Sequence, residues 1–239
     1  MKDQSRLDAG DHAEACYPNE ACGLVVVVRG KERFWPCRNI HPEPDQFFAI
    51  DPADYAAAEQ AGEITAIFHS HVNIPAAPSE ADRVACEASG LPWFILSLPT
   101  LRWDGCEPCG WRPPLIGREH CWSVVDCWSL VRDWYEQEWA VSLIDLPRRS
   151  GFWRDGTDLL GDNIAAAGFV VLPDGAPLER GDVLLMQSGG SAVPNHVALW
   201  LGDDSILHHP EGRLSGRDVY GGWYRKHTVK VARYANRPA

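Results

Sequence analysis

The chain has 239 residues, enough for one large domain or two of ordinary size. Hydrophobic residues make up 45% and charged residues 23%, a composition typical of globular chains that argues against wholesale disorder. No apolar run approaches the roughly 20 residues that a membrane span needs. The formal net charge of −11 disfavours binding to nucleic-acid phosphates or anionic lipids through the overall field of the protein.

The first part of the chain alternates strands and helices. Short apolar runs predict buried strands, and amphipathic or Ala-rich stretches predict helices. The strands are predicted over residues 24–28, 34–38, 64–68 and 93–98, and the helices over 6–17, 51–62 and 79–89. This alternation predicts an α/β domain.

A stretch rich in Gly and Pro separates this part from the rest of the chain. Residues 104–114 contain two Gly and three Pro, which mark a break in regular structure. We therefore predict one domain over residues 1–110 and a second over 111–239. The second begins with helices predicted over 126–139 and 158–167, followed by strands over 183–186, 196–201, 205–208 and 229–234. This order predicts an α+β fold.

Two histidines and an aspartate follow the strand predicted over residues 64–68. His69 and His71 are two residues apart, so at a strand end both side chains point to the same side. Asp82 falls in the first turn of the next helix, which the intervening loop can bring back toward the histidines. Two imidazoles and a carboxylate are a normal ligand set for a catalytic zinc, and Glu20 is a candidate general base.

A purely structural reading competes with the zinc site. Ser79 and Asp82 also have the spacing of a helix capping box, which by itself accounts for both residues. The cap does not account for two histidines at this spacing, so we favour the metal site.

The first part of the chain resembles the JAMM/MPN metallopeptidases over roughly residues 5–105. That family has an upstream Glu, then His-x-His, seven residues, Ser, two residues and Asp, and the whole pattern is present here. The resemblance implies a mixed sheet with flanking helices and a Zn²⁺ cofactor. It also implies that His69, His71 and Asp82 are the zinc ligands. Glu20 would be the acid/base, and Ser79 would stabilise the oxyanion.

Cys127 lies at the start of the helix predicted over residues 126–139. A thiol at a helix N-terminus feels the positive end of the helix dipole, which is expected to lower its pKa and favour the nucleophilic thiolate. His196 is the candidate base, and a predicted turn brings His208 near it across a hairpin. The structural alternatives are that Cys127 is a small core residue, and that His196 is a strand histidine whose ring nitrogens simply have hydrogen-bond partners.

The second part of the chain resembles NlpC-type cysteine peptidases, papain-like hydrolases that cut peptidoglycan stem peptides. The matching stretches are residues 125–130, 180–183, 195–203 and 207–209, within a resemblance over roughly 115–235. The resemblance implies that Cys127 is the nucleophile, His196 the base and His208 the orienting residue. His209 is the alternative to His208.

The family's oxyanion-hole tyrosine is missing from this sequence. Leu115 stands where many members have that tyrosine. The backbone N–H of Cys127 or the side chain of His120 is a candidate replacement.

Four of the other cysteines, Cys16, Cys22, Cys37 and Cys86, fall in predicted core elements and need no function. The chain has eight Cys, and no apolar stretch follows the N-terminal residues to predict a classical signal peptide, so we expect thiols or ligands rather than disulfides. Cys106 and Cys109 have the spacing of half a structural zinc site. A full site needs four ligands, so free thiols are favoured.

A JAMM-like domain followed by an NlpC-like domain resembles the tail assembly proteins of lambda-like siphophages. The resemblance implies a virion protein of the tail tip, made in the host cytoplasm and acting at the host cell wall. Its expected partners are host peptidoglycan stem peptides and other tail-tip proteins, without nucleic acid or a membrane span. The alternatives are an isopeptidase or processing protease that acts on tail proteins during assembly, and a non-catalytic tail-tip scaffold.

Overall fold

The computed structural model describes residues 1–237, which form two compact units. The first spans Met1–Arg112 and the second begins at Pro113. The first unit is α/β and the second α+β, so the predicted fold classes are confirmed. Among residues 1–237, no helix is both long and apolar enough to cross a membrane.

The first unit is built on a mixed five-stranded sheet with the order β2-β1-β3-β4-β5. Its strands are β1 (Cys22–Val28), β2 (Lys31–Cys37), β3 (Glu63–Val72), β4 (Trp93–Leu98) and β5 (Arg102–Cys106). Its helices are α1 (Asp3–Cys16), α2 (Pro52–Ala61) and α3 (Glu80–Ser89). Only the β3–β4 pair is parallel among the described strand pairs of this sheet.

Helices cover both faces of this sheet. On one face, Ala13 of α1 shares an apolar cluster with Phe68. On the other, Ala58 of α2 and Cys86 of α3 share a cluster with Ile67. Neighbouring residues of β3 are buried on opposite faces of the sheet. The sequence at the centre of this strand is therefore continuously apolar and does not alternate between apolar and polar residues.

Strand β3 is longer than the apolar pattern predicts. It continues past Phe68 to Val72 because it pairs in parallel with β4 as far as Leu98. His69 and His71 therefore lie within the strand, opposite Ile95 and Ser97 of β4. This pairing holds the two histidines on one face at the carboxyl end of the strand.

The second unit is built on an antiparallel six-stranded sheet with the order β10-β9-β8-β7-β11-β6. Its strands are β6 (Phe169–Val171), β7 (Val183–Met186), β8 (His196–Gly202), β9 (Ser205–His208), β10 (Gly216–Val219) and β11 (Thr228–Tyr234). Its helices are α4 (Cys127–Trp139), α5 (Leu159–Asn163) and α6 (Gly222–His227). Helix α4 packs on one face, where Leu130 and Trp134 share a cluster with Val197 and Leu199.

Four elements have no counterpart in the sequence prediction, namely β5, β6, β10 and α6. Three of them are short strands at or next to a sheet edge, and their residues are largely polar or exposed. Pairing with a neighbouring strand, rather than their own residue pattern, makes them strands.

Gly181 lies at a close junction between α4 and the sheet. Its φ is +91°, and a Cβ added there would lie 2.2 Å from the ring of Trp139. Its carbonyl accepts a hydrogen bond from the Tyr135 hydroxyl at 2.7 Å. The next residue, Asp182, is fully buried and pairs with Arg233 at 2.8 Å. Only glycine satisfies both the backbone conformation and the close approach.

Gly181→Ala is expected to lower the free energy of unfolding by about 2–4 kcal/mol, because backbone strain adds to a clash with Trp139. Gly175→Ala is the matched control: φ is +77° there but no atom lies within 4 Å of an added Cβ. That variant should lose about 1 kcal/mol through strain alone. Denaturant unfolding followed by tryptophan fluorescence measures both, and equal losses would contradict the close junction.

Candidate active sites in the two units

Three predicted metal ligands meet in the first unit. His69 Nε2 lies 3.3 Å from Asp82 Oδ1, and His71 Nε2 lies 3.3 Å from Asp82 Oδ2. All three residues are buried, and one ligand atom from each lies within 4.8 Å of the others. The strand β3 supplies the two imidazoles and the first turn of α3 supplies the carboxylate.

The environment of these side chains fits a zinc ion. His71 Nδ1 lies 2.6 Å from the Pro75 carbonyl oxygen, so it carries the hydrogen and leaves the Nε2 lone pair for the site. The His69 ring stacks on Phe48 with centroids 4.5 Å apart. Burial acts to raise the pKa of Asp82, but the neighbouring His69 and His71 and a hydrogen bond from Ser79 hold it well below its usual range. Two imidazole nitrogens and a carboxylate oxygen are a ligand set typical of zinc.

Ser79 forms the predicted capping box of α3 and at the same time orients Asp82. Its hydroxyl accepts from the Asp82 N–H at 3.1 Å and donates to Asp82 Oδ2 at 2.8 Å, while its own N–H donates to the same oxygen at 2.7 Å. The structural and functional readings of this motif are therefore compatible. Because the hydroxyl proton is engaged with Asp82, a role for Ser79 toward an oxyanion stays a prediction.

Glu20 lies just before β1 and is buried. Strand β1 pairs with β3 so that Cys22 lies opposite His69. Glu20, two residues before Cys22, is therefore at the same end of the sheet as the ligands. Burial raises the pKa of Glu20 to about 8, with His71 acting to lower it and Asp82 to raise it. A carboxyl group with a pKa near neutrality is suited to proton transfer.

In the second unit, the start of α4 is fixed by a buried ion pair. Asp126 is the N-cap, and its Oδ1 accepts from the N–H groups of Trp128 and Ser129 at 3.1 and 3.0 Å. Arg148 Nε lies 2.8 Å from Asp126 Oδ2, and both side chains are completely buried. The cap and its cation hold Cys127, the first residue of the helix, in place. Arg148 was not among the predicted site residues.

The Cys127 thiol is buried against β8. The N–H groups of Val197 and Trp128 donate toward its sulfur. Burial and the adjacent charge of Asp126 nevertheless raise the pKa of Cys127 to about 12. The expectation of a lowered pKa from the helix dipole is therefore wrong for this structure, because desolvation and a neighbouring carboxylate outweigh the dipole. The thiol is protonated at rest.

The predicted approach of His196 and His208 across the hairpin is confirmed. The register pairs His208 with Ala198, and His196 Nε2 lies 3.1 Å from His208 Nδ1. The ring of His209 instead packs against His120, with centroids 5.0 Å apart. Burial, together with His208, lowers the pKa of His196 to about 3, so the imidazole is neutral at rest.

Two further residues extend this arrangement. His208 Nε2 lies 3.0 Å from Asp218 Oδ2 on β10, and the Tyr224 hydroxyl of α6 donates to the same oxygen. Neither residue was found by sequence reasoning, because both belong to short elements whose own pattern gives no signal.

Cys127, His196 and His208 line one cavity of about 500 Å³. His120 also faces this cavity and stays a candidate oxyanion donor, whereas Leu115 packs against the apolar core. Aromatic and charged side chains form further walls, namely Trp122, Trp153, Trp223, Glu211 and Arg213. A thiol, a histidine pair and a polar, aromatic-walled cavity suit nucleophilic attack on a peptide-like carbonyl.

The two units match two known families. Residues 4–105 match the family described as prokaryotic homologs of the JAB domain. Residues 102–233 match the NlpC/P60 family, and this match covers more than half of the chain. The chain therefore belongs to the NlpC/P60 family and carries a JAB-type domain ahead of its NlpC/P60 domain.

Within this class, the chain belongs with the tail tip assembly proteins K of lambda-like phages. It is 38% identical to tail tip assembly protein K of Escherichia phage N15 over 225 residues, covering 93% of this chain and 91% of that protein. It is 37% identical to tail tip assembly protein K of Escherichia phage lambda over 185 residues, covering 77% and 89%. Over 70 residues, covering 27% and 47%, it is 39% identical to a probable TtuB-protein conjugate cleaving protease of Thermus thermophilus.

We expect Cys127 to react with iodoacetamide at least about tenfold more slowly than the exposed Cys109 at pH 7, because its thiol is buried and protonated. A pKa raised to about 12 means that the thiolate fraction of Cys127 grows about tenfold per pH unit from pH 7 to 10. Timed alkylation of the folded chain with peptide mass spectrometry measures both rates. Faster reaction at Cys127 than at Cys109 at pH 6.5 would contradict this expectation.

Proposed function

We propose that this chain is a tail-tip protein of a phage virion whose second unit hydrolyses peptidoglycan stem peptides through Cys127. One observation carries the proposal: a helix-start thiol shares a cavity with His196, which is hydrogen-bonded at 3.1 Å to His208. Membership of the NlpC/P60 family supports peptidase chemistry. The relatives named for tail tip assembly support a place in the tail, with other tail-tip proteins as partners.

The residues of the second unit account for the chemistry. His196 engages His208 through Nε2, which leaves Nδ1 for the thiol. His196 takes the thiol proton as the Cys127 sulfur attacks the peptide carbonyl, and then gives it to the departing amine. Water, deprotonated by His196, hydrolyses the resulting thioester and frees the thiol. The backbone N–H of Cys127, at the start of α4, is a donor for the developing oxyanion.

The cavity walls fit a stem peptide. Trp122, Trp153 and Trp223 provide apolar surfaces for the aliphatic parts of the peptide, and Arg213 provides a charge for its carboxylates. The bond cut would be the γ-D-glutamyl–diamino acid bond or a neighbouring one. In the infected host, the site of action would be the cell wall and periplasm.

The first unit is proposed to be a zinc peptidase. His69, His71 and Asp82 would hold the zinc, which when bound supplies Lewis-acid polarisation of a carbonyl. Glu20 would accept and return a proton, and Ser79 keeps the Asp82 carboxylate oriented. The similarity to a conjugate cleaving protease favours cleavage of an isopeptide or processing bond in a tail protein as the activity of this unit.

The full chain is expected to bind about one zinc per molecule, and His69→Ala or His71→Ala should abolish this binding because each removes one of three ligands. His41→Ala is the control, since His41 lies in the same unit but outside the ligand cluster, and its ring contacts Phe47 and the backbone of Glu43. Elemental analysis after reconstitution at neutral pH measures the content. A wild-type chain without zinc, or zinc retained in both ligand variants, would refute the metal site.

Cys127→Ala is expected to slow the release of peptides from purified peptidoglycan by at least about 10³-fold, because it removes the covalent nucleophile. His69→Ala should leave this rate within a few-fold, since the second unit contains its own nucleophile and base. Cys109→Ala, at an exposed thiol, is the matched control. Mass spectrometry of the released muropeptides gives the rate and the bond, and thermal melts check folding.

A wild-type chain that releases no peptide would reject wall hydrolysis and favour the scaffold alternative. Equal loss in Cys127→Ala and His69→Ala, with both variants folded, would mean that the metal unit contributes directly to wall cleavage.

A further inference from the structure

The hydrogen-bond chain that starts at His196 ends on a carboxylate. His196 Nε2 lies 3.1 Å from His208 Nδ1, and His208 Nε2 lies 3.0 Å from Asp218 Oδ2. The Tyr224 hydroxyl donates to the same Asp218 oxygen. An ionised carboxylate only accepts hydrogen bonds, so His208 must donate to it from Nε2.

The direction of this hydrogen bond to Asp218 determines the tautomer of both imidazoles. A neutral His208 with its hydrogen on Nε2 presents only a lone pair at Nδ1. That lone pair can accept but not donate, so His196 must carry its hydrogen on Nε2. The remaining nitrogen of His196, Nδ1, is then a lone pair, which is the form that a general base requires.

The contacts around Asp218 strengthen its acceptor role. Hydrogen bonds from Tyr224 and His208 outweigh burial and keep the pKa of Asp218 below its usual range. Arg213 Nη1 lies 3.9 Å from the same carboxylate. His208 is buried, with a side chain only 4% exposed, so water competes little for its Nε2 hydrogen.

We propose that Asp218 is a positioning residue, supported by Tyr224, that sets the tautomers of His208 and His196 in the cysteine peptidase site. Asp218 acts through His208 and does not contact the reacting atoms. The activity part of this inference rests on the proposed function, whereas the tautomer part stands on the hydrogen-bond geometry alone.

The activity test compares three variants of the full chain on purified peptidoglycan. Asp218→Ala removes the acceptor and should lower kcat about 10²-fold with KM changed by less than a few-fold, because a tautomer that cannot act as base becomes populated. Asp218→Asn preserves the shape of the side chain, but its amide N–H can donate to His208 Nε2 and favour the other tautomer, so it should lose activity as Asp218→Ala does. Asp174→Ala, at an exposed aspartate of the same unit, should match wild type.

The tautomer test needs no substrate. In chains with ¹⁵N-labelled histidine, long-range ¹H–¹⁵N correlation spectra report which ring nitrogen carries the hydrogen. Wild type should show the hydrogen on Nε2 of both His196 and His208. In Asp218→Ala, a form with the hydrogen on Nδ1 should appear for His208.

Each outcome separates this inference from the proposed function. A hydrogen on Nδ1 of His196 in the wild type, or unchanged tautomers in Asp218→Ala, would overturn the inference. A kcat of Asp218→Asn within a few-fold of wild type would also overturn it, because retained activity in this isosteric variant would point to a merely structural role. A wild-type chain with the expected tautomers but no action on peptidoglycan would reject the proposed function and leave the tautomer assignment intact.

Discussion

The second unit depends on the buried ion pair between Asp126 and Arg148. Asp126 caps α4 with two backbone hydrogen bonds, and Arg148 compensates its charge in a site without solvent. Leaving either charge buried alone costs several kcal/mol, so the helix start, and the thiol of Cys127 with it, is held in one position. The same carboxylate raises the pKa of that thiol. Precise placement of the thiol is thus coupled to a protonated resting state.

Both units place a functional side chain by means of a helix cap. In the first unit, Ser79 caps α3 and holds the Asp82 carboxylate toward the histidines. In the second, Asp126 caps α4 and holds Cys127. Caps satisfy backbone N–H groups that have no partner within the helix, so they are rigid points. In the first unit β3 supplies both histidines, and in the second β8 supplies His196 and β9 supplies His208.

Burial keeps one imidazole in each site neutral. Desolvation lowers the pKa of His69 and of His196, so each offers a lone pair at neutral pH. A metal ligand and a general base both need that lone pair. For His196, the direction of the lone pair is set by its bond to His208, whereas for His71 it is set by the Pro75 carbonyl. Fixing one ring nitrogen to free the other is common to both units.

The sequence by itself determined the features that depend on neighbours along the chain. The placement of His69 and His71 on one face follows from strand periodicity, and the helix predicted over residues 126–139 matches α4 to within one residue. The bounds of β7 and β9 match their apolar runs.

Only the tertiary structure decided the rest. The partnership of Asp126 with Arg148, and of His208 with Asp218, joins side chains that no local spacing relates. The pKa of Cys127 likewise departed from the dipole-based expectation, because desolvation depends on everything packed around the thiol and not on its place in the helix.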